Sequence, residues 1–122
     1  MIKHNKYRNK KVVIDNILFD SKKEARRYKE LKLMEEAGLI TNLVLQPKYE
    51  VLKSFKRRGK THTKIEYIAD FRYFDNERQA EVIEDVKGVS TDVFNIKKKL
   101  FLYQLDESIV FLVIKKNKII EY

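Results

Sequence analysis

The chain contains no cysteine, only one proline and only three glycines. Without cysteine neither a disulfide framework nor a thiolate metal site can form, and nothing marks a secreted protein. Scarce glycine and proline leave little room for linkers, and no internal repeat or low-complexity tract is present. No long apolar run follows the basic start "MIKHNKYRNKK", so we expect neither a signal peptide nor a membrane-spanning helix. These absences predict one cytoplasmic domain spanning residues 1–122, with a basic N-terminal arm at about residues 1–11.

Positive charge is what the sequence has in excess. Lysine and arginine number 27 against 18 aspartates and glutamates, which gives a formal charge of +9 and a pI near 9.6. The excess is clustered in three runs, "KHNKYRNKK" near the start, "KSFKRRGKTHTK" at residues 53–64 and "KKK" at residues 97–99. One such run can be a solvated loop that keeps a protein soluble. Three together favour nucleic acid over an acidic membrane surface, because none is joined to a wide amphipathic helix.

Turn, cap and periodicity signals predict two helices and seven strands. The first helix follows an N-cap at Ser21 and stops at Gly38, and the second follows a cap at Thr91 or Asp92. Paired short strands precede the first helix and follow the second, and three longer strands lie between the helices. The resulting order, ββαβββαββ, predicts an α/β (α+β) fold with a mixed β-sheet flanked by helices.

Periodicity also assigns side chains to faces. In the first helix the apolar arc consists of Ala25, Tyr28, Leu31 and Met34, and in the second of Val93, Ile96, Leu100 and Tyr103. Read as one strand, "KIEYIADFRYF" at residues 64–74 puts Tyr67, Ala69, Phe71 and Tyr73 on one face and Asp70 on the other.

The strand "VIEDVKG" at residues 82–88 places charged side chains in apolar surroundings. Its alternation puts Asp85 and Lys87 on one face and Glu84 on the other, and a hairpin with the preceding strand would bring Asp70 beside Asp85. Glu24 lies inside the apolar arc of the first helix.

Converging carboxylates repel one another and must be desolvated, so such a cluster persists mostly when a hard cation neutralises it. We therefore predict a Mg²⁺ (or Mn²⁺) site formed by Asp70, Asp85, Glu24 and the backbone carbonyl of Val86. Lys87 would orient the attacking water and stabilise the charge that develops during phosphodiester hydrolysis.

Each of these residues also has a simpler interpretation. Glu24 could be only the capping-box partner of Ser21, and both roles could hold together. Asp85 and Lys87 could form an exposed ion pair of little energetic value. Taken alone, Asp70 could be an ordinary surface residue.

The motifs "IAD" at residues 68–70 and "EDVKG" at residues 84–88, with a helix carrying Glu24 upstream, resemble the PD-(D/E)XK nuclease superfamily. Asp70 matches its first acidic position, Asp85 its second, Lys87 its lysine and Glu24 the acidic residue of the first helix. Ala69 stands where the proline of the motif would be. The segments "NKY", "FDSKKEARRY", "LQPKYEV" and "DVKG" resemble a small, mainly phage-encoded family within that superfamily, and this pattern spans nearly the whole chain.

This resemblance implies a restriction-endonuclease-like fold, magnesium or manganese as cofactor and DNA, duplex or branched, as substrate. Some relatives act as Holliday-junction resolvases, whereas others cut or nick linear duplexes. Gln46 lies where some relatives carry a glutamine near the site, and Lys97 where a helix lysine could contact phosphate. The expected DNA-binding residues are Lys6, Arg8, Lys10, Lys11, Gln46, Lys56, Arg57, Arg58, Lys60 and Lys97.

The sequence therefore predicts a metal-dependent endodeoxyribonuclease. The alternatives are a DNA-binding protein that uses the same fold without catalysis, and an interaction protein whose charge only solubilises it. No glycine-rich phosphate loop is present, which argues against a nucleotide cofactor. Symmetric cutting of two strands would ask for two sites, which is compatible with a homodimer.

Overall fold

The computed structural model describes residues 10–122, so the predictions for Lys6 and Arg8 lie outside the described residues. Strands β1 (Val12–Ile14) and β2 (Ile17–Phe19) form an antiparallel hairpin. Its turn residues Asp15 and Asn16 have φ values of 53° and 63°. Both residue types tolerate left-handed backbone, which a tight hairpin turn requires.

Helix α1 (Lys22–Glu36) begins and ends where its signals predict. The Ser21 side chain accepts a hydrogen bond of 3.1 Å from the backbone N–H of Glu24, and Gly38 follows the helix with a φ of 78°. Ala25, Tyr28 and Leu31 are buried, which confirms the predicted apolar face.

The central sheet is mixed and has five strands. Along the chain these are β3 (Ile40–Leu45), β8 (Phe71–Asp75), β9 (Ala80–Val86), β10 (Val110–Lys115) and β11 (Lys118–Glu121). Their order across the sheet is β11-β10-β9-β8-β3. Strands β8 and β9 are antiparallel neighbours, as predicted, whereas β9 and β10 are parallel. Helix α2 (Asp92–Gln104) makes the crossover connection that parallel neighbours need.

Between the helices the described chain forms seven strands rather than the predicted three. After β3 the chain leaves the sheet as a two-stranded ribbon and returns to it at β8. The proximal half of the ribbon pairs β4 (Lys48–Leu52) with β7 (Ile65–Ile68), and its distal half pairs β5 (Phe55–Arg57) with β6 (Lys60–His62). The mixed sheet with flanking helices is confirmed, while the order ββαβββαββ is wrong in its strand count.

The segment 64–74 is not one strand, as its alternation predicts, but two. It breaks between β7 and β8, where the backbone N–H of Asp70 bonds to Glu84 O at 3.0 Å. The break shifts the alternation, so Tyr67 and Ala69 pack in one core cluster while Phe71 and Tyr73 pack in the other. The prediction of a single aromatic face was therefore wrong.

The two core clusters lie on opposite faces of the sheet. On one face α1 covers Val82 and Val86 of β9, and on the other α2 and the proximal ribbon cover Ile83, Phe111 and Val113. Side chains of adjacent strand residues point to opposite faces. The face of Glu84 is therefore the α1 side, and that of Asp85 is the α2 side.

Helix α2 buries a different arc from the predicted one. Phe94 and Phe101 are its buried residues, whereas Val93, Ile96 and Tyr103 are 62%, 61% and 92% exposed. Both arcs are apolar, and they are about one residue apart around the helix. The contacts of α2 with β4 and β7 select the phenylalanine arc. The predicted arc is therefore wrong at Val93, Ile96 and Tyr103, whereas Leu100 packs against the core cluster as predicted.

Neither of the two helices in residues 10–122 combines the length and the apolar character needed to cross a membrane.

Candidate active site

The predicted site residues come from three places that meet at one end of the sheet. Asp70 lies in the connection from β7 to β8, Asp85 and Lys87 lie at the end of β9, and Glu24 lies in the first turn of α1. Strand β9 ends at Val86, so Lys87 extends beyond the sheet.

Asp70 is fixed by its backbone and by its side chain. Its carbonyl accepts a hydrogen bond of 2.9 Å from the backbone N–H of Gln46. Its Oδ2 accepts another, of 2.6 Å, from the backbone N–H of Val86. Because Val86 follows Asp85 directly, this second bond ties the two predicted metal ligands together across the break between β7 and β8.

Asp85 is 1% exposed, and both of its carboxylate oxygens have partners. The Tyr67 hydroxyl donates to Oδ2, and Lys87 Nζ lies 3.1 Å from Oδ1. The Lys87 ammonium also lies 4.2 Å from the centre of the Phe94 ring, within the range of a cation–π contact. Asp85 and Lys87 thus share a face, as strand alternation predicts, but the pair is buried on one side rather than exposed.

Glu24 is half-buried at the start of α1. Among the described residues, the Glu24 carboxylate accepts no hydrogen bond from the backbone N–H of Ser21. Only one half of the predicted capping box is therefore formed. Burial, followed by the charges of Asp20 and Asp85, raises the pKa of Glu24, and Lys87 opposes this effect.

The three carboxyl groups act on one another electrostatically. Burial, followed by the charges of Asp85 and Glu24, raises the pKa of Asp70 to about 8, against the lowering effects of the Val86 bond and of Lys87. An isolated carboxyl group titrates near 4. The charges of Glu24 and Asp85 thus act on Asp70, and the single ammonium of Lys87 opposes them without cancelling their effect.

The carboxylate oxygens near Asp70 are donors that a divalent cation prefers, but their present arrangement does not form a metal site. In residues 10–122 no three acidic or histidine side chains are grouped so as to hold a metal ion. Lys87 Nζ instead lies against Asp85 Oδ1. The available donors are carboxylate oxygens, which Mg²⁺ prefers, and a bound cation would favour the ionised forms of Glu24 and Asp70, whose pKa values are raised first by burial and then by neighbouring carboxylates.

Glu84 has a separate, fully occupied environment. It is 0% exposed, and Arg27 Nε and Nη2 donate to its two carboxylate oxygens at 2.8 and 2.7 Å. The Tyr73 hydroxyl donates to the same carboxylate. The bidentate ion pair with Arg27 balances the charge of Glu84, and through it Glu84 connects α1 to β9.

The predicted DNA-binding residues are spread over the molecule. Lys10 and Lys11 are exposed ahead of β1, and Gln46 is exposed at the foot of the ribbon. The distal ribbon presents the exposed side chains of Lys56, Arg57, Arg58 and Lys60. Arg58 and Gly59 form its tip with φ values of 50° and 79°, as expected for a hairpin turn. Lys97 is half-buried on α2.

Sequence reasoning missed several residues around the site. Tyr67 was missed as a partner of Asp85 because residues 64–74, taken as one unbroken strand, place Tyr67 on the opposite face from Asp70.

The turn after β10 carries Lys115, Lys116 and Lys118. It emerges beside Lys87, whose backbone N–H bonds to Ile114 O at 2.9 Å. The parallel pairing of β9 and β10 brings their ends together, and the run "KKNK" was the available signal.

The comparisons with known proteins identify a family and one distant structural neighbour. Residues 4–121 match the family described as "Protein of unknown function (DUF1064)", and the chain belongs to that family. No curated protein matches the sequence. The fold is similar to the crystal structure of SSO0001, with 15% identity and a TM-score of 0.42, over 82% of this chain and 48% of that one. The chain spans about half the length of that neighbour.

Proposed function

We propose that this member of the DUF1064 family is a metal-dependent endodeoxyribonuclease of the PD-(D/E)XK type. The observation that carries the proposal is that the Val86 N–H bond holds Asp70 next to Asp85, with Lys87 against Asp85 and with the charge of Glu24 acting on Asp70. A buried excess of negative charge lowers the stability of a protein, so its presence beside exposed cations favours a catalytic role.

In this proposal Asp70 and Asp85 hold Mg²⁺ or Mn²⁺, Glu24 assists, and the carbonyl of Val86 completes the protein ligands. The ion would polarise the phosphoryl oxygen and lower the pKa of a bound water. Tyr67 orients the Asp85 carboxylate through the hydrogen bond that its hydroxyl donates. Val86 N–H does the same for Asp70, so both ligands are preorganised by partners that need not move.

Lys87 acts on the reacting groups. With a cation bound by the carboxylates, the Lys87 ammonium would be free to donate to the attacking water and to a non-bridging phosphate oxygen. The water oxygen would form a bond to phosphorus and release a proton to solvent, while one P–O ester bond breaks and the departing oxygen takes up a proton. Negative charge grows on the phosphate during this step, and Lys87 stabilises it.

The exposed cations of the ribbon would hold the DNA backbone, because phosphate contacts by lysine and arginine supply most of the sequence-independent affinity. Branched DNA of the Holliday-junction type, met during phage recombination, replication or packaging, is the favoured substrate by family resemblance. Without cysteine in the chain, a reducing cytoplasm is the expected location.

The second candidate is a DNA-binding protein that keeps this fold without catalysis. The exposed basic ribbon supports it equally well. A purely DNA-binding role gives no reason for acidic side chains to lie close together, since their charges would repel DNA phosphates. We therefore rank this candidate second.

The deciding experiment is cleavage of a labelled panel of DNA substrates with Mg²⁺, Mn²⁺ or EDTA. The panel contains four-way junction, flap, nicked, linear duplex and single-stranded DNA. Asp85→Ala and Lys87→Met test the site, and Glu77→Ala, at an exposed turn position, is the matched control. We expect metal-dependent cutting by the wild type and Glu77→Ala, and binding without cutting by the two site variants.

If the wild type binds DNA but cuts none of the substrates with either metal, the nuclease proposal is wrong and the binding protein takes its place. Cutting by Asp85→Ala at the wild-type rate would remove Asp85 from the site.

A further inference from the structure

The distal ribbon carries an aromatic pair that the proposed chemistry does not use. Phe55 and His62 face each other across β5 and β6, with ring centres 4.9 Å apart and planes inclined by 14°. Every residue of both strands is exposed, and Phe55 is 46% exposed. The pair therefore lies in solvent rather than in either core cluster.

The stacked pair shares its face of the ribbon with cations. Directly paired residues of an antiparallel hairpin point to the same face, and the next pair points to the other. Phe55 and His62 therefore lie with Arg57 and Lys60, while Lys56 and Thr61 occupy the opposite face.

The four cations nearest the tip of the ribbon are not paired with carboxylates of the described chain. In the part of the chain that the structure describes, Lys56, Arg57, Arg58 and Lys60 take part in no ion pair. One face thus combines two flat rings with two unneutralised cations nearer the tip. Aromatic rings beside cations are the combination that proteins use to bind unpaired nucleotides, by base stacking and phosphate contact.

We propose that the Phe55–His62 pair is a stacking platform for an unpaired DNA base, and that it makes the protein prefer DNA with unpaired or branched segments. In an intact duplex every base is stacked between its neighbours and offers no free face. A bulge, flap or junction offers such faces, while Arg57 and Lys60 contact the adjoining phosphates. The platform is a binding site in its own right, and only its consequence for cutting rests on the proposed nuclease function.

The length of the ribbon sets the distance between this platform and the candidate active site. Asp70 follows His62 by eight positions along the chain. At about 3.3 Å for each position these eight steps span at most roughly 26 Å. Successive nucleotides of one strand of B-DNA rise about 3.4 Å along the helix axis, so the scissile bond should lie within about eight nucleotides of the unpaired segment.

Binding is tested first, in EDTA so that no DNA is cut. Fluorescence anisotropy compares a linear duplex with a duplex of equal phosphate count that carries a three-nucleotide bulge. Base stacking on an aromatic side chain is worth about 1–3 kcal/mol, the equivalent of about 5- to 150-fold in affinity. We expect Phe55→Leu to lose that factor on bulged DNA alone, Phe55→Tyr to keep it, and Lys56→Ala to weaken both DNAs equally.

Equal losses on both DNAs for Phe55→Leu, or no loss on either, would overturn the platform. Phe55→Tyr is the control for an unfolded hairpin. If that variant also lost the preference for bulged DNA, the pair would only hold β5 against β6, and the platform would be overturned as well.

Cleavage mapping on the bulged duplex with Mg²⁺ then separates the two proposals. Preferential binding without any cutting would leave the platform intact and remove the nuclease. Cutting more than about eight nucleotides from the bulge, or cutting that ignores the bulge, would keep the nuclease and overturn the inference that the platform places the cut.

Discussion

Asp70 accepts a hydrogen bond from Val86 N–H while it faces the charges of Asp85 and Glu24. The hydrogen bond favours the ionised carboxylate, whereas burial and the two neighbours favour the neutral acid. The second group of effects wins, since the pKa of Asp70 is raised to about 8. In the metal-free protein this carboxyl group therefore binds a proton that it would lose in the unfolded chain at neutral pH.

Asp70→Asn should make the metal-free protein more stable near pH 8. The pKa of Asp70 is about 8 in the fold and near 4 in an unfolded chain, so its stabilising contribution is complete below about pH 4 and is lost as the pH rises to 8. An amide keeps an acceptor for Val86 N–H and carries no charge. We expect a gain on the order of 1–3 kcal/mol at pH 8 in EDTA and little change at pH 4, measured by urea unfolding. A loss of stability at pH 8 would show that Asp70 is not repelled.

The predictable part of the site was the part that depends on short-range spacing. Asp85 and Lys87 follow from strand alternation, and Asp70 follows from a hairpin between adjacent strands. The role of Tyr67 could not be predicted, because it depends on the break between β7 and β8. The role of Arg27 could not be predicted either, because it depends on a contact with Glu84, 57 positions away in the sequence.

Helix α1 is attached to β9 by the buried ion pair between Arg27 and Glu84. This pair holds the helix that carries Glu24 against the strand that carries Asp85. Hydrogen bonding to Glu84 is the largest effect that raises the pKa of Arg27 further above its ordinary value, so the guanidinium stays charged.

Arg27→Ala should destabilise the protein by about 3–5 kcal/mol, because it leaves the Glu84 carboxylate buried without its cation. The neighbouring Arg26 is exposed, and Arg26→Ala should change the free energy of unfolding by no more than about 0.5 kcal/mol. Urea denaturation of the two variants in parallel measures both values. Equal effects would mean that the ion pair does not hold α1 in place.

Helix α2 shows where helical periodicity stops being informative. Its sequence contains two adjacent apolar arcs, and periodicity alone cannot tell which of them the sheet covers. The covered arc holds the two phenylalanines, which contact Tyr67 and Phe111 at ring-centre distances of 4.9 to 6.3 Å. Packing against residues far away in sequence decided the orientation.

Two truncations on α2 should therefore differ widely in their effect on stability. Phe101 is 1% exposed, and Phe101→Ala should cost about 3–5 kcal/mol through lost burial and the cavity it leaves. Ile96 is 61% exposed, and Ile96→Ala should stay within about 0.5 kcal/mol. Thermal unfolding of both variants checks the helix orientation, and the reverse ranking would restore the arc predicted from sequence.

At the scale of the whole molecule, the formal charge of +9 predicts that the proposed affinity for DNA depends on salt. The logarithm of the binding constant should fall linearly with the logarithm of salt concentration, by about 0.9 for each phosphate contacted. Arg57→Ala combined with Arg58→Ala should reduce this slope by about 2. Arg78 lies in the turn between β8 and β9, at the opposite end of the sheet from Lys87, and Arg78→Ala should leave the slope unchanged. Binding titrations at several salt concentrations measure it, and a slope near zero would exclude DNA as the partner.

The overall architecture was predictable because the two helices and the central strands have strong local signals. The ribbon was not, since β5 and β6 are three-residue strands without a buried side chain. Alternation between core and solvent, the signal by which strands are found, does not exist where no face is buried.

The two feet of the ribbon are bonded to each other, through Gln46 N–H to Asp70 O and Ala69 N–H to Pro47 O. The excursion therefore closes on itself before the chain re-enters the sheet, and its distal half, residues 53–64, contributes nothing to either core cluster. A protein engineer could exchange that half for a hairpin of another length or composition without rebuilding the scaffold. Under the proposed function, the exchanged hairpin would bind DNA while the rest of the domain hydrolyses it. The length of the hairpin would then set the distance between the bound segment and the phosphodiester bond that is cut.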